Sequence, residues 1–169
     1  MNNSNTVQIE AAPTATEEVR SLVDELETLL SAEYPPEQRH GLALDAIFQP
    51  HIRFFIARLR GAAVGCGGVA IFSDFAEVKR MYVRDVARGQ GVADAILARI
   101  EEEVRDAGLS LLRLETGDRQ VAATRFYARA GFRLCQAFGA YTLMSPQSVA
   151  TSLFFEKRIG LPAFAGRTH

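Results

Sequence analysis

Arg88, Gly89, Gln90, Gly91, Val92 and Ala93 stand where the chain changes character. Before them, 77–83 mixes β-branched, aromatic and charged residues and runs into Arg84-Asp85, the pattern of a strand entering a loop. After them, Val92, Ile96, Leu97, Ile100 and Val104 fall on one stripe of an amphipathic helix reaching about residue 107. The first turn of a helix carries N–H groups without intrahelical partners, and the macrodipole adds partial positive charge there. Gly89 and Gly91 remove side chains that would hold an anion at a distance, and Arg88 adds a full charge. This chemistry suits a phosphate or pyrophosphate. An ordinary glycine-containing turn is the other reading, because the Gly-Lys-Ser/Thr ending of a nucleoside triphosphate loop is absent and the glycine spacing is not the dinucleotide fingerprint.

The elements that would position this junction follow from patterning. A polar start leads to a candidate edge strand at 6–12, then Thr14 and Glu17 at capping-box spacing. Val19, Leu22, Val23, Leu26, Leu29 and Leu30 recur at helical intervals and predict a helix over 16–32, ended by Tyr34-Pro35-Pro36. A shorter helix is expected at 37–46. The β-rich runs 52–59 and 62–72 flank Arg60-Gly61, a tight hairpin signal. Beyond the glycine-started helix, capped by Gly108, come a strand at 109–115, a turn at 116–118, a helix at 120–130 capped by Gly131, a strand at 132–135 and a last strand at 152–158. Antiparallel strands followed by β-α-β crossovers indicate a mixed sheet covered by helices.

The length, 169 residues, suits one domain with a well-buried core. The formal net charge of −1, without a Lys- or Arg-rich run, argues against nucleic acid as a partner. No apolar stretch approaches a membrane span and the start MNNSNT is not a signal peptide, so a cytoplasmic protein is expected. Cys66 and Cys135 read as small buried thiols, and His40, His51 and His169 form no metal or nucleophile constellation. No metal is expected.

A second stretch, 114–132, reads LETGDRQVAATRFYARAGF and supplies Gln120, Ala123, Phe126-Tyr127 and Gly131-Phe132. Together with Arg88, Gly91 and Ala93, which match Arg/Gln-x-x-Gly-x-Gly/Ala after a strand, these residues resemble the Gcn5-related N-acetyltransferase (GNAT) superfamily. The resemblance runs from the first helix through the Gly-Phe turn and is sharpest over 77–132. Phe138-Gly139-x-Tyr141 and Phe155-Glu156-Lys157 are similar to a subgroup of bacterial members, whereas the loop 142–151 is atypical.

The resemblance implies an α/β (α+β) fold, with a mixed central sheet of about six to seven strands, a splayed strand pair and about four flanking helices. It implies one domain over 1–169, and the Gly and Pro of 161–169 read as a tail. It also implies transfer of the acetyl group of acetyl-coenzyme A to a primary amine of a small molecule, an amino-acid-like metabolite or a peptide, by direct attack in a ternary complex. The alternative is an acyl-coenzyme A-binding sensor without turnover. The pyrophosphate would lie on the N–H groups from Arg88 to Ala93 and the pantetheine arm along Met81, Tyr82 and Val83. Gln120, Ala123 and Phe126 would flank it. Amine attack needs a base, an oxyanion donor and a proton for the departing thiolate. Tyr127, on the family's tyrosine position, is the candidate acid; a phenol is protonated at neutral pH. A main-chain N–H near Met81 or Tyr82 is the candidate oxyanion donor. Glu77 and Glu115, at neighbouring strand ends, are the candidate bases, Glu77 first. Acceptor contacts are expected near 34–40 and 138–144, and Arg53, Lys79 and Arg80 are either solvated strand-face charges or holders of a substrate carboxylate. The run Leu153-Phe154-Phe155 is a candidate homodimer surface, or else core.

Overall fold

The structure, a computed structural model, describes residues 6–160; the expected tail at 161–169 lies outside them. In chain order the elements are β1 (Val7–Ala11), α1 (Glu17–Glu33), β2 (Ile52–Leu59), β3 (Ala62–Ile71), β4 (Ala76–Val83), α2 (Val92–Asp106), β5 (Leu111–Gly117), α3 (Val121–Arg129), β6 (Arg133–Cys135) and β7 (Ser152–Arg158). The seven strands form one mixed sheet in the order β1-β2-β3-β4-β5-β7-β6. The β2–β3 hairpin closes through Arg60 and Gly61, whose φ angles of 51° and 82° give the left-handed pair that a two-residue turn requires.

Alternation along the strands sends side chains to two separate cores. On β2, Phe54 and Ile56 pack with Val19, Leu22 and Val23 of α1, whereas Ala57 and Leu59 pack with Val92, Ile96, Leu97, Ile100 and Val104 of α2. The whole predicted α2 stripe is therefore buried. The α1 stripe is buried only in its first half, and its later leucines have another use, described below. Thr16 caps α1 through its hydroxyl, which accepts from Val19 N at 3.3 Å.

Among the described residues three α-helices form, where about four were expected. The segment 37–46 holds instead two 3₁₀ turns, Pro36–Gln38 and Leu44–Phe48. Tertiary contacts explain the difference: the Leu42 carbonyl accepts a hydrogen bond from Arg80 Nε at 2.8 Å, and Gly41 lies where a Cβ would collide with the Arg80 guanidinium. A helix there would need that carbonyl and that space. Phe154 and Phe155, expected as a candidate dimer surface, are buried in two of this chain's own clusters, and Leu153 packs against one of them. That run is core.

The feature that positions the site is the junction of β4 and β5. These parallel strands register only at Ala76↔Leu112 and Glu77↔Arg113, and then part. β5 continues paired with β7 over its full length, from Leu111↔Arg158 to Gly117↔Ser152. β4 meanwhile carries a bulge: Gly67 of β3 faces both Arg80 and Met81, and Arg80 sits at φ 54°. A bulge increases local twist and bends its strand, which turns β4 away from β5. A left-handed non-glycine residue costs on the order of 1 kcal/mol. The ion pair of the buried Arg80 side chain with the half-exposed Glu27 holds it there.

Candidate active site

The parting of β4 and β5 opens between two cavities. The larger, about 600 Å³, is a groove running from the outer part of β4 across the start of α2 to α3. Met81, Tyr82 and Val83 line one side, Arg88, Gly89, Gly91, Val92 and Ala93 its end, and Gln120, Ala123 and Phe126 the other side. Leu26 and Leu29 of α1 close it, which accounts for the apolar residues that α1 leaves out of the core. Gly89 and Gly91 adopt φ of 75° and 79°, Gly91 is the N-cap of α2, and an added Cβ at either would meet open space. An anion can thus approach the main chain directly. Arg88 is exposed and pairs with Asp85 at 3.1 Å. Gln90 does not line the groove; its side-chain amide donates to the Val86 carbonyl at 3.3 Å.

The smaller cavity, about 130 Å³, brings together all three candidate catalytic residues, Glu77, Glu115 and Tyr127. Tyr127 lines both cavities, so its hydroxyl-bearing ring stands at their common wall. Burial, and secondarily the charge of Glu115, push its phenol above the ordinary range, so it stays protonated at neutral pH. Burial also raises the Glu115 carboxyl above its usual value, against the opposing pull of His40 and Lys79. A carboxyl moved up toward neutrality is better matched to taking a proton from an ammonium.

Glu77 is differently placed. It is 4% exposed, and one oxygen, Oε2, accepts from the Tyr141 hydroxyl at 2.6 Å and pairs with Lys79 Nζ at 2.8 Å. Lys79 Nζ also donates to the Tyr141 oxygen at 3.2 Å. Burial first, and then the charge of Glu77, raise the Tyr141 phenol, which keeps its proton on that bond. Lys79 is thus no solvated strand-face charge, and neither is Arg80, whose side chain is 4% exposed. Arg53 is the exposed one and donates to the Pro50 carbonyl at 2.7 Å. The sequence reading missed the Lys79 and Tyr141 partnership. The i,i+2 spacing of Glu77 and Lys79 on one strand was the available signal; nothing local marks Tyr141, 64 residues away.

His40, read as isolated, lines the cavity and its Nε2 bonds the Ser148 carbonyl at 2.7 Å. Tyr34, just past α1, accepts from Arg119 N at 2.7 Å and lies on Gly117, where no Cβ would fit. Both fall in the segment where acceptor contacts were expected, as does Tyr141 in the later one. Cys66 is a buried thiol that donates to the Arg80 carbonyl at 3.4 Å, with its pKa pushed up to about 12 by burial. It is chemically quiet. No group of three or more His, Cys, Asp or Glu side chains able to hold a metal occurs among the described residues. None of the described helices is long and apolar enough to cross a membrane.

Residues 20–132 match the Acetyltransferase (GNAT) family. The chain belongs to that family, and it is an acyltransferase. It is 43% identical over 141 residues to the IAA acetyltransferase of Azospirillum brasilense, covering 82% of this chain and 89% of the relative. A solved structure from Klebsiella pneumoniae, 28% identical, covers 92% of this chain and 99% of its own with a TM-score of 0.73. The PaiA N-acetyltransferase of Thermoplasma acidophilum, solved with coenzyme A, shares the fold at 16% identity, with a TM-score of 0.64 over 90% of this chain and 99% of its own.

Proposed function

We propose that this chain transfers the acetyl group of acetyl-coenzyme A to a primary amine, on a small molecule, an amino-acid-like metabolite or a peptide, by direct attack in a ternary complex. The observation that carries this reading is the place of Tyr127, on the wall shared by the groove and the carboxylate-lined cavity. Bound acetyl-coenzyme A supplies the activated thioester. The main chain from Arg88 to Ala93 holds the pyrophosphate, and Met81, Tyr82 and Val83, on the β4 edge that β5 has left, hold the pantetheine arm by main-chain groups. Gln120, Ala123 and Phe126 flank it.

Of the two carboxylates, Glu115 is the better base. Its carboxyl is raised, whereas the Glu77 oxygen that faces Tyr141 and Lys79 is already engaged. Glu115 takes one proton of the ammonium, Tyr127 gives its proton to the leaving thiolate and regains one from the nitrogen as the amide forms, and Glu77 positions Lys79 and Tyr141 on the acceptor side. Met81, at the bulge, lines both cavities, and its main-chain N–H is the proposed donor to the oxyanion. Release of coenzyme A thiol from acetyl-coenzyme A over a panel of amines tests the reading. Amine-dependent release supports it, while tight cofactor binding without release with any amine would leave a sensor.

A further inference from the structure

The small cavity has a wall that the transfer chemistry does not use. Arg39 and Arg80 both line it. They share a single carboxylate, Glu27, which pairs with Arg80 Nη2 through Oε1 and with Arg39 Nη1 at 3.4 Å through Oε2. Two guanidinium groups share this one carboxylate, and the carboxylate on the cavity walls not engaged by a cation, Glu115, is the one the transfer uses. Lys79 is matched by Glu77 at 2.8 Å. Glu115 and His40 are the remaining acid and base groups on the cavity walls, with the phenols of Tyr34, Tyr127 and Tyr141.

Two donor atoms on this wall are buried and have no hydrogen-bond partner, Arg80 Nη1 and Arg39 Nε. The Arg80 side chain is 4% exposed, and its other nitrogens are engaged, Nε by the Leu42 carbonyl at 2.8 Å and Nη2 by Glu27. A buried charged donor without an acceptor is costly, and native proteins keep few of them. Gly41 gives the guanidinium its room, since a Cβ there would collide with it.

We propose that Arg80 and Arg39 receive an anionic group of the acceptor, a carboxylate or phosphonate, so that the amine acetylated by this chain carries a negative charge close to its amino group. The inference rests on the acetyl-transfer reading above. Glu115 and Tyr127 lie on the walls of the same cavity of about 130 Å³. A compact molecule therefore presents its amine to Glu115 and its anion to the arginines. The two unpartnered donors, Arg80 Nη1 and Arg39 Nε, can each donate a charge-assisted hydrogen bond to an oxygen of either anion.

The test is thiol release measured over matched acceptors: alanine and alaninamide, phenylalanine and phenylalaninamide, 2-aminoethylphosphonate and its diethyl ester. The anionic member of at least one pair is expected to exceed its neutral partner by tenfold or more in kcat/KM, the loss typical of a charge-assisted hydrogen bond. Which pair shows it separates carboxylate from phosphonate. In Arg39→Gln the KM for that acceptor should rise about tenfold, with partial recovery in Arg39→Lys. Equal use of both members in every pair, or a preference untouched in Arg39→Gln, overturns the subsite. Should Arg39→Gln fail to fold, the matched pairs measured on the native chain carry the test, and equal use of both members in every pair overturns the proposal. Release with neutral amines alone removes this subsite and leaves acetyl transfer standing; release with no amine removes both.

Discussion

The Tyr141 hydroxyl donates a 2.6 Å hydrogen bond to Glu77 Oε2, joining the late loop to the strand position at which β4 and β5 part. Because the carboxylate is buried, this bond and the Lys79 ion pair keep its charge tolerable in the protein interior. Tyr141→Phe leaves the ring contacts but removes the donor. The expected cost is about 1.5–3 kcal/mol, the range for hydrogen bonds to charged groups, read from the midpoint of urea unfolding. A shift below about 0.5 kcal/mol would show that Lys79 alone suffices.

Glu115 makes a pH prediction of definite sign. Its folded carboxyl lies above the ordinary value of 4.5. Its contribution to stability is therefore full below that value and is lost as pH rises through the folded one. Glu115→Gln should be more stable than the native chain at neutral pH, and the advantage should vanish on acidification below about pH 4.5 in thermal melts. As the proposed base, Glu115 should also set the acidic limb of kcat/KM against pH. Glu115→Gln should lose that limb and about 10²–10⁴-fold of the rate. A limb that survives in Glu115→Gln and disappears in Glu77→Gln would reverse the two roles.

Tyr127→Phe separates chemistry from binding. The ring stays packed against Phe126 and Phe132, so the fold and the cofactor affinity should be retained. Loss of the proton donor should lower kcat about 10²-fold. Unchanged turnover would assign the thiolate proton to solvent.

Gly91→Glu places a charge and a side chain at the start of α2. Its φ of 79° costs a non-glycine residue roughly 1 kcal/mol, which the fold can bear. Calorimetric titration should show acetyl-coenzyme A binding in the native chain and at least about tenfold weaker binding in the variant, from repulsion of the pyrophosphate. Equal affinities would move the anion away from this turn.

The elements around the groove were legible because they are local. The α2 stripe, the glycines before it and the Arg60-Gly61 turn each carry their signal within a few residues. The site behind them is assembled from long-range pairs, and these leave no such trace. Residues 37–46 have helix-compatible composition, yet Arg80, a residue far along the chain, takes the Leu42 carbonyl and the space over Gly41. For Arg80 and Lys79 a solvated strand-face charge and a holder of a substrate carboxylate both stood open, because strand alternation gives the face and not what covers it. Glu77 and Glu115 were expected at neighbouring strand ends and both line one cavity, whereas the hydroxyl that engages Glu77 belongs to Tyr141, which no spacing near Glu77 announces. The parting of β4 and β5 was expected from family likeness alone; its local cause is a bulge that places a non-glycine residue, Arg80, at positive φ.

Two register pairs are all the ladder that joins the two halves of the sheet. Several remaining ties across the seam are made by side chains: Tyr34 to Arg119 N, Arg119 to the Glu33 carbonyl, Gln38 to the Gln147 carbonyl and His40 to the Ser148 carbonyl. Mechanically, the seam is a hinge with a fixed pin and a laced opening. Its closed end moves only if main-chain bonds break, whereas these laces yield to rotamer changes, so the mouth can widen for a ligand without a strand being torn from its neighbour.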